Sequence, residues 1–595
     1  MHDLLIKGAT VVDGTGADPF VADVAVSNGV ITEVGAINGA AKRTIDAAGA
    51  HLMPGFIDIH SHYDGQITWD ETFAPSIYHG VTTVVTGNCG VGFAPVRPGA
   101  QAQLIDLMEG VEEIPESVLV EGMRWGWESF TEYAQQMDAM PHSLDFMTLV
   151  PHDALRLYVM GDRASRGEPA NAEDLEQMVG LLRTALADGA CGLGLGSSET
   201  HRTSKGQMTP SFQVSGNELN TLATAFHGLP YRILQTVDDF SATRGAPVEE
   251  RSRFDREYGK IEEMARVAGR PVVISWMDRV FAPQQWKWLG DAALESAKKG
   301  VDVHLGTAAR GVGTLAGLDT TMNILMAYPS YREIMALPPE ERAASMRDPA
   351  RRARVLSEKP IKLAVEGTFI PPIVDFVVDN FDHLSMDMFP CLPGPGGIDY
   401  EPDRSTSIGA IAKAKGAKPL AAFYDFFAEG DGSNFIYYPV FNYTTGDLSN
   451  VREMLLHPKA LVSLADGGAH VGTICDASSP TTMLAHWALQ RTRGPRIPLP
   501  HVVEILTRRN AHYMGLTDRG VIAPGMKADM NLIDLDKLAL PKPTIVRDLP
   551  AGGRRIIQKS SGYLATFVSG QAVIENGEIT AARPGRWARG PNALA

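Results

Sequence analysis

Between Phe56 and Ala465 the chain alternates short apolar segments with helix-length amphipathic ones. That alternation admits few folds. Strands separated by helices run parallel in one sheet, because a parallel pair needs a long crossover and the helix supplies it. Eight segments qualify as strands: Phe56–His60, Thr82–Thr86, Leu144–Val150, Ala190–Gly196, Arg232–Val237, Pro271–Met277, Val301–Gly306 and Leu461–Ala465. Eight such units predict an α/β fold, a (β/α)8 TIM-like barrel. The gap between the seventh and the eighth is too long for one helix. Residues of about 311–455 are therefore expected to form a long insertion before the last barrel strand. It contains a charged helical stretch (Pro338–Lys359), a Gly/Pro-rich loop region (Pro390–Ile398) and an apolar segment (Phe435–Phe441).

The two ends of the chain share a β character that the middle lacks. Leu4–Val12, Val21–Val26 and Ile31–Val34 read as strands, with Ser27-Asn28-Gly29 as a hairpin turn. Met530–Ile533, Ala565–Val568 and Ala572–Ile579, which turns at Asn576-Gly577, read the same way. The expectation is a small β-sandwich domain built from both termini, 1–54 and 522–595, around a barrel spanning 55–521.

The strongest chemical signal is Phe56-Ile57-Asp58-Ile59-His60-Ser61-His62. Side chains alternate along a strand, so His60 and His62 project to the same side. At the C-terminal end of a first barrel strand that side faces the mouth, where two imidazoles can share one divalent ion. Cys89 follows the second predicted strand between flanking glycines. As a thiolate it is a strong zinc ligand; as a thiol it is a small buried apolar residue. Asp466 ends the eighth strand before Gly467-Gly468, a position that suits either a turn or a catalytic carboxylate.

Pro54-Gly55-Phe56-Ile57-Asp58-Ile59-His60-Ser61-His62 resembles the first-strand motif of the amidohydrolase superfamily. Gly80–Gly90 is similar to the second-strand motif of the N-acyl-D-amino-acid deacylase (D-aminoacylase) branch. The resemblance continues in His457-Pro458, Ser463–Gly467, Gly515–Gly520 and Ala523–Asp529. It implies a metal-dependent hydrolase of a C–N bond, acting on an N-acyl amino acid or related amide. By the same resemblance His60, His62, Cys89 and Asp466 hold the metal, and Asp466 also moves a proton from the attacking water to the leaving nitrogen. The stretch from about 200 to 455 carries the resemblance weakly.

The sequence departs from that branch in one respect. The deacylases take one histidine from the fifth strand and one from the sixth. Here those strands read Ile233-Leu234-Gln235-Thr236-Val237-Asp238 and Val273-Ile274-Ser275-Trp276-Met277-Asp278, with no histidine. Trp276 falls about where the sixth-strand ligand is expected, and its indole can only donate. No lysine at the end of the fourth strand offers itself as a bridge between two metals. The remaining four ligands fit one Zn2+. His152, His201 and His304 lie near predicted strand ends and can complete a different site. His470, four residues after Asp466, either contacts substrate or faces water. Arg202, Arg279 and Arg310 follow strands and can clamp a carboxylate or pair locally, and Glu199 and Asp238 can hydrogen-bond within the cavity.

Two rivals stand beside amide hydrolysis. One is hydrolysis of a cyclic amide, carbamate, ester or lactone on the same site. The other is a metal-dependent protein that binds a small ligand without turning it over. With a formal net charge of −16 and no basic stripe, the chain is not expected to bind nucleic acid. No apolar run reaches transmembrane length, no secretory leader is evident, and the four cysteines form no disulfide pattern. The expectation is a cytoplasmic protein with a small-molecule substrate, no membrane partner and a possible homo-oligomeric state.

Overall fold

The computed structural model describes residues 1–240, 251–365, 370, 372–394 and 396–589. Pro395, within the predicted Gly/Pro-rich region, lies outside them. All eight expected segments contain strands: β1 (Phe56–Asp58), β2 (Val81–Thr86), β3 (Asp145–Pro151), β4 (Gly192–Ser197), β5 (Ile233–Asp238), β6 (Val272–Trp276), β7 (Val303–Thr307) and β8 (Ala460–Val462). They pair in sequence order as one parallel sheet. The first and last strands are short, and the seam between them closes just beyond their ends. Ser61 bridges Gly467 in parallel. The His62 N–H donates to Gly467 O at 2.8 Å, and the Asp466 N–H to His60 O at 3.1 Å. The barrel closure therefore passes through the residues of the candidate site.

Ile57, Val85, Met147, Leu149, Ile233, Val273 and Leu461 fill the barrel together with Tyr513 and Met514. Tyr513 plugs the lower end, its hydroxyl donating to Leu234 O at 2.8 Å. The crossover helices start and stop on local signals. Asn171 accepts the Asp174 N–H at 2.9 Å and the Asp174 carboxylate accepts the Asn171 N–H at 2.8 Å, a reciprocal cap on the helix Ala172–Asp188.

Both termini enter one nine-stranded sheet. Met530–Ile533 pairs with His51–Pro54 on one side and Tyr563–Val568 on the other. His2–Val11 pairs with Phe20–Ser27 along one edge, and along its other edge with both Ala41–Asp46 and His51–Pro54. Val30 bridges Lys527, so the far edge curls back over a core of Ile6, Val24, Ile31, Leu52, Leu532 and Phe567. Between β7 and β8, Val312–Gly317 pairs antiparallel with Phe435–Phe441, which also pairs with Phe389–Pro390. The charged stretch forms two helices, Pro339–Met346 and Pro349–Ser357. They bury Ala343, Met346 and Val355 against Tyr331, Phe423, Tyr424 and Phe427. Among the described residues no helix is long and apolar enough to cross a membrane.

Candidate metal centre

Just past β1 the chain brings His60 and His62 to the barrel mouth, both almost fully buried. Asp58 accepts the His60 N–H at 3.1 Å, which fixes the bend there. Cys89 arrives from the turn after β2. Asn88 secures that turn, its amide nitrogen donating to Ser61 O at 3.1 Å and Val85 O at 2.9 Å. Cys89 itself is left-handed (φ 56°), a conformation costly for a residue with a Cβ and concentrated at functional sites. The turn lies against β4, whose Gly-Leu-Gly-Leu-Gly run gives it a flat seat. A Cβ at Gly194 would stand 2.0 Å from Gly87 O, and one at Gly196 2.2 Å from Cys89 O.

The polar atoms converge. Cys89 Sγ lies 3.4 Å from His60 Nε2 and 3.9 Å from His62 Nε2. Asp466 Oδ1 lies 3.4 Å from His60 Nε2 and 3.8 Å from His62 Nε2. Asp466 and His470 are both left-handed (φ 46° each), on a loop that folds back over the site.

Burial sets the protonation of these groups. It lowers His60 to about 3, with the fields of His201 and His470 adding to it, and pushes His62 well below the usual histidine range. Both rings are therefore neutral, as ligands must be. Burial also raises the acids: Asp466 to about 7, Glu112 to about 8, Asp58 to about 8 and Asp64 to about 7. The Cys89 thiol is raised by burial and then by Glu112 and Asp466. Two neutral imidazoles, a thiol and carboxyls held neutral chiefly by burial form a donor set that fits a divalent cation.

Glu112 and Glu113, which sequence reasoning missed, complete the surroundings. They end the helix Gln101–Glu112. Glu112 Oε1 lies 3.3 Å from His62 Nδ1, and its Oε2 3.6 Å from His470 Nε2. Glu113 Oε2 lies 3.6 Å from His470 Nδ1. Burial pulls His470 down, but the hydrogen bond to Glu113 and the fields of Glu113, Glu112 and Asp466 outweigh it and lift it to about 10. His470 is thus a cation at the mouth.

The other sequence candidates go elsewhere. His152 Nε2 pairs with Glu218 Oε1 at 2.9 Å, a carboxylate that Arg156 also binds. His201 is half-buried near the site, and its field reaches His60 and His62. His304 is the second residue of β7, so it sits at the closed lower end, 3.1 Å from Asp302. Arg279 is already paired with Asp239 at 3.0 Å, and Arg310 with Asp476 at 2.9 Å. Arg202 donates to Gly206 O at 3.1 Å. Asp239 binds the Ser198 hydroxyl at 2.7 Å and the Glu199 N–H at 2.9 Å. The Asp238 carboxylate accepts the Phe240 N–H at 2.5 Å. Trp276 does not occupy a ligand position: its ring packs on Trp286 and His457, outside the barrel, and donates to Trp286 O at 2.8 Å. On β5 the side chain that turns to the site is Gln235, whose Oε1 accepts the Cys89 N–H at 3.1 Å.

The amidohydrolase family model matches residues 43–286 and 406–574. An uncharacterized protein of Mycobacterium tuberculosis is 26% identical over 97% of this chain and 92% of its own length. D-aminoacylase of Alcaligenes xylosoxydans xylosoxydans is 34% identical, over 33% of this chain and 38% of its own length. Among solved structures, D-aminoacylase superposes with a TM-score of 0.61 at 22% identity, covering 99% of each chain. The N-acyl-D-glutamate deacylase of Bordetella bronchiseptica, complexed with zinc and a phosphonate inhibitor, gives 0.63 at 21% identity and the same coverage.

Proposed function

Because this chain belongs to the amidohydrolase family, and so to hydrolases of non-peptide C–N bonds, we propose that it cleaves an N-acylated D-amino acid or a related amide at a single zinc ion. One observation carries the reading: His60 Nε2 and His62 Nε2 lie 3.4 and 3.9 Å from Cys89 Sγ and 3.4 and 3.8 Å from Asp466 Oδ1, so the two imidazoles are flanked by a thiol and a carboxyl. These residues would hold the ion, and β5 and β6 bring no histidine to a second one. When bound, a divalent ion supplies Lewis acidity toward the carbonyl and a water made acidic enough to attack at neutral pH.

The rest falls to the chain. Asp466, the most exposed of the four donors at 14%, takes the proton of the attacking water and delivers it to the departing nitrogen. His470, protonated beside it but paired with Glu113, offers N–H donors toward the substrate rather than net charge. Arg279 and Arg310 are neutralised by their partners, so they shape the wall rather than supply net charge.

The test is metal content per chain together with hydrolysis of a panel of N-acetyl-D-amino acids, cyclic amides, carbamates, esters and lactones. Asp466→Asn is expected to keep the zinc and lose about 10²–10⁴-fold in kcat. Two equivalents of metal would refute the single-ion site. Turnover confined to the cyclic or ester members would move the substrate class. Metal-loaded protein that binds amides without cleaving any would make it a binding protein.

A further inference from the structure

The β5 residue Gln235 is 1% exposed, and its amide orientation is chemically determined. The Cys89 N–H can only donate, so the atom facing it at 3.1 Å must be the carbonyl oxygen Oε1. The NH2 end therefore points away from that bond. Among the described residues it has no acceptor, although it is fully buried. Its register neighbours are Gly194 on β4 and Val273 on β6, neither of which carries an accepting side chain. Ile233 and Val237, on the same face of β5, offer none either. A buried amide donor left unpaired is costly, and such groups in natural proteins are satisfied by water or ligand.

We propose that Gln235 is a catalytic residue whose Nε2–H donates to the acyl oxygen of the bound amide as that oxygen gains charge. The same side chain, through Oε1, holds the left-handed turn that aims Cys89. This rests on the hydrolase reading above. A preorganised neutral donor in a desolvated site stabilises developing negative charge without reorganising at the moment of reaction. It does so from the side of the site opposite the first-strand histidines, since β5 lies four strands from β1 in an eight-stranded barrel.

The test uses cobalt-loaded protein, with the thiolate-to-cobalt absorption band as a readout independent of turnover. Methylphosphonate is the probe, because its tetrahedral anionic oxygens resemble the charged acyl centre. Gln235→Glu retains an acceptor for the Cys89 N–H but removes the donor. It is expected to keep one cobalt and the thiolate band while losing at least about tenfold in methylphosphonate affinity. Affinity within twofold of wild type overturns the assignment, as does a wild type whose cobalt spectrum ignores the probe. If the new carboxylate displaces Cys89 and abolishes the band, Gln235→Leu decides by the same affinity criterion, since it adds no ligand. The two readings fail differently. Wild-type protein that binds cobalt without a thiolate band sinks the metal-centre reading, whereas an intact band with unchanged Gln235→Glu affinity sinks only the role of Gln235.

Discussion

The Nδ1 of His62 lies 3.3 Å from Oε1 of Glu112, and both side chains are buried. The two atoms face each other without a hydrogen bond; a carboxylate at that distance favours the tautomer protonated on Nδ1, which leaves Nε2 to present its lone pair to an ion. Glu112 also reaches His470, so one carboxylate links the first-strand histidine, the end of a helix and the loop carrying Asp466. Glu112→Gln should weaken zinc binding about 10- to 100-fold, measured by competition with a chelating dye. Unchanged affinity would reduce Glu112 to a packing role.

The seat of the Cys89 turn can be tested by size. A Cβ at Gly196 would meet Cys89 O at 2.2 Å, and backbone cannot yield as a flexible side chain can. Gly196→Ala is expected to cost roughly 1–3 kcal/mol of stability and to lower zinc stoichiometry. Gly180, exposed within the helix Ala172–Asp188, meets nothing within 4 Å. Gly180→Ala should instead stabilise by about 0.5–1 kcal/mol. Denaturation midpoints of the two variants moving together would show that contact with the turn is not the cause.

The barrel was legible because eight apolar segments recur between helices, and burial leaves that pattern in any chain that builds a parallel sheet. His60, His62, Cys89 and Asp466 were legible as residues at the C-terminal ends of strands; the structure gathers the first three and sets Asp466 against the two histidines. Glu112 was not. It comes from the end of a helix that reads as an ordinary amphipathic segment, and only the fold turns it toward His62. Trp276 shows the opposite error. Sequence position gives the strand end but not the face, and a shift of one residue exchanges barrel interior for helix packing. His304 shares that ambiguity, being near a strand end but the lower one. Gln235 could be noticed only as a missing histidine, because its partner is a backbone N–H 146 residues away.

Glu401 gives the protein a defined acid sensitivity away from the metal centre. Its carboxylate binds His486 at 2.9 Å and Arg491 at 2.9 and 3.0 Å, and accepts the Leu448 N–H at 2.8 Å. Burial raises its pKa, but these partners outweigh that and hold it at about 2, below the ordinary 4.5. A depressed carboxylate contributes its stability above 4.5 and loses it as pH falls through 4.5 toward 2. The shift corresponds to roughly 3 kcal/mol. Glu401→Gln strands the buried Arg491 and should cost about 3–5 kcal/mol at neutral pH. The gap to wild type should close on acidification across that window. A gap independent of pH in denaturant titrations would argue against the ionised pair.

Asn510 tests how the barrel is shut. Strands β1 and β8 run for only three residues each and do not pair directly along their length. The Asn510 amide nitrogen spans them, donating to Ile57 O at 2.9 Å and Val462 O at 3.0 Å. It takes the place of a backbone ladder at the one seam that lacks it, directly beneath the bridge of Ser61 to Gly467 that carries His60, His62 and Asp466. Asn510→Ala leaves two buried carbonyls without donors, at about 1–3 kcal/mol each. Asn510→Asp exchanges the donor for a repelling oxygen and should be worse. Because the strain falls on the seam, amide hydrogen exchange at Ser61, His62 and Asp466 should quicken more than exchange in β4 and β5 on the far wall. Uniform acceleration around the barrel would mean that Asn510 contributes to the core generally and does not act as the clasp.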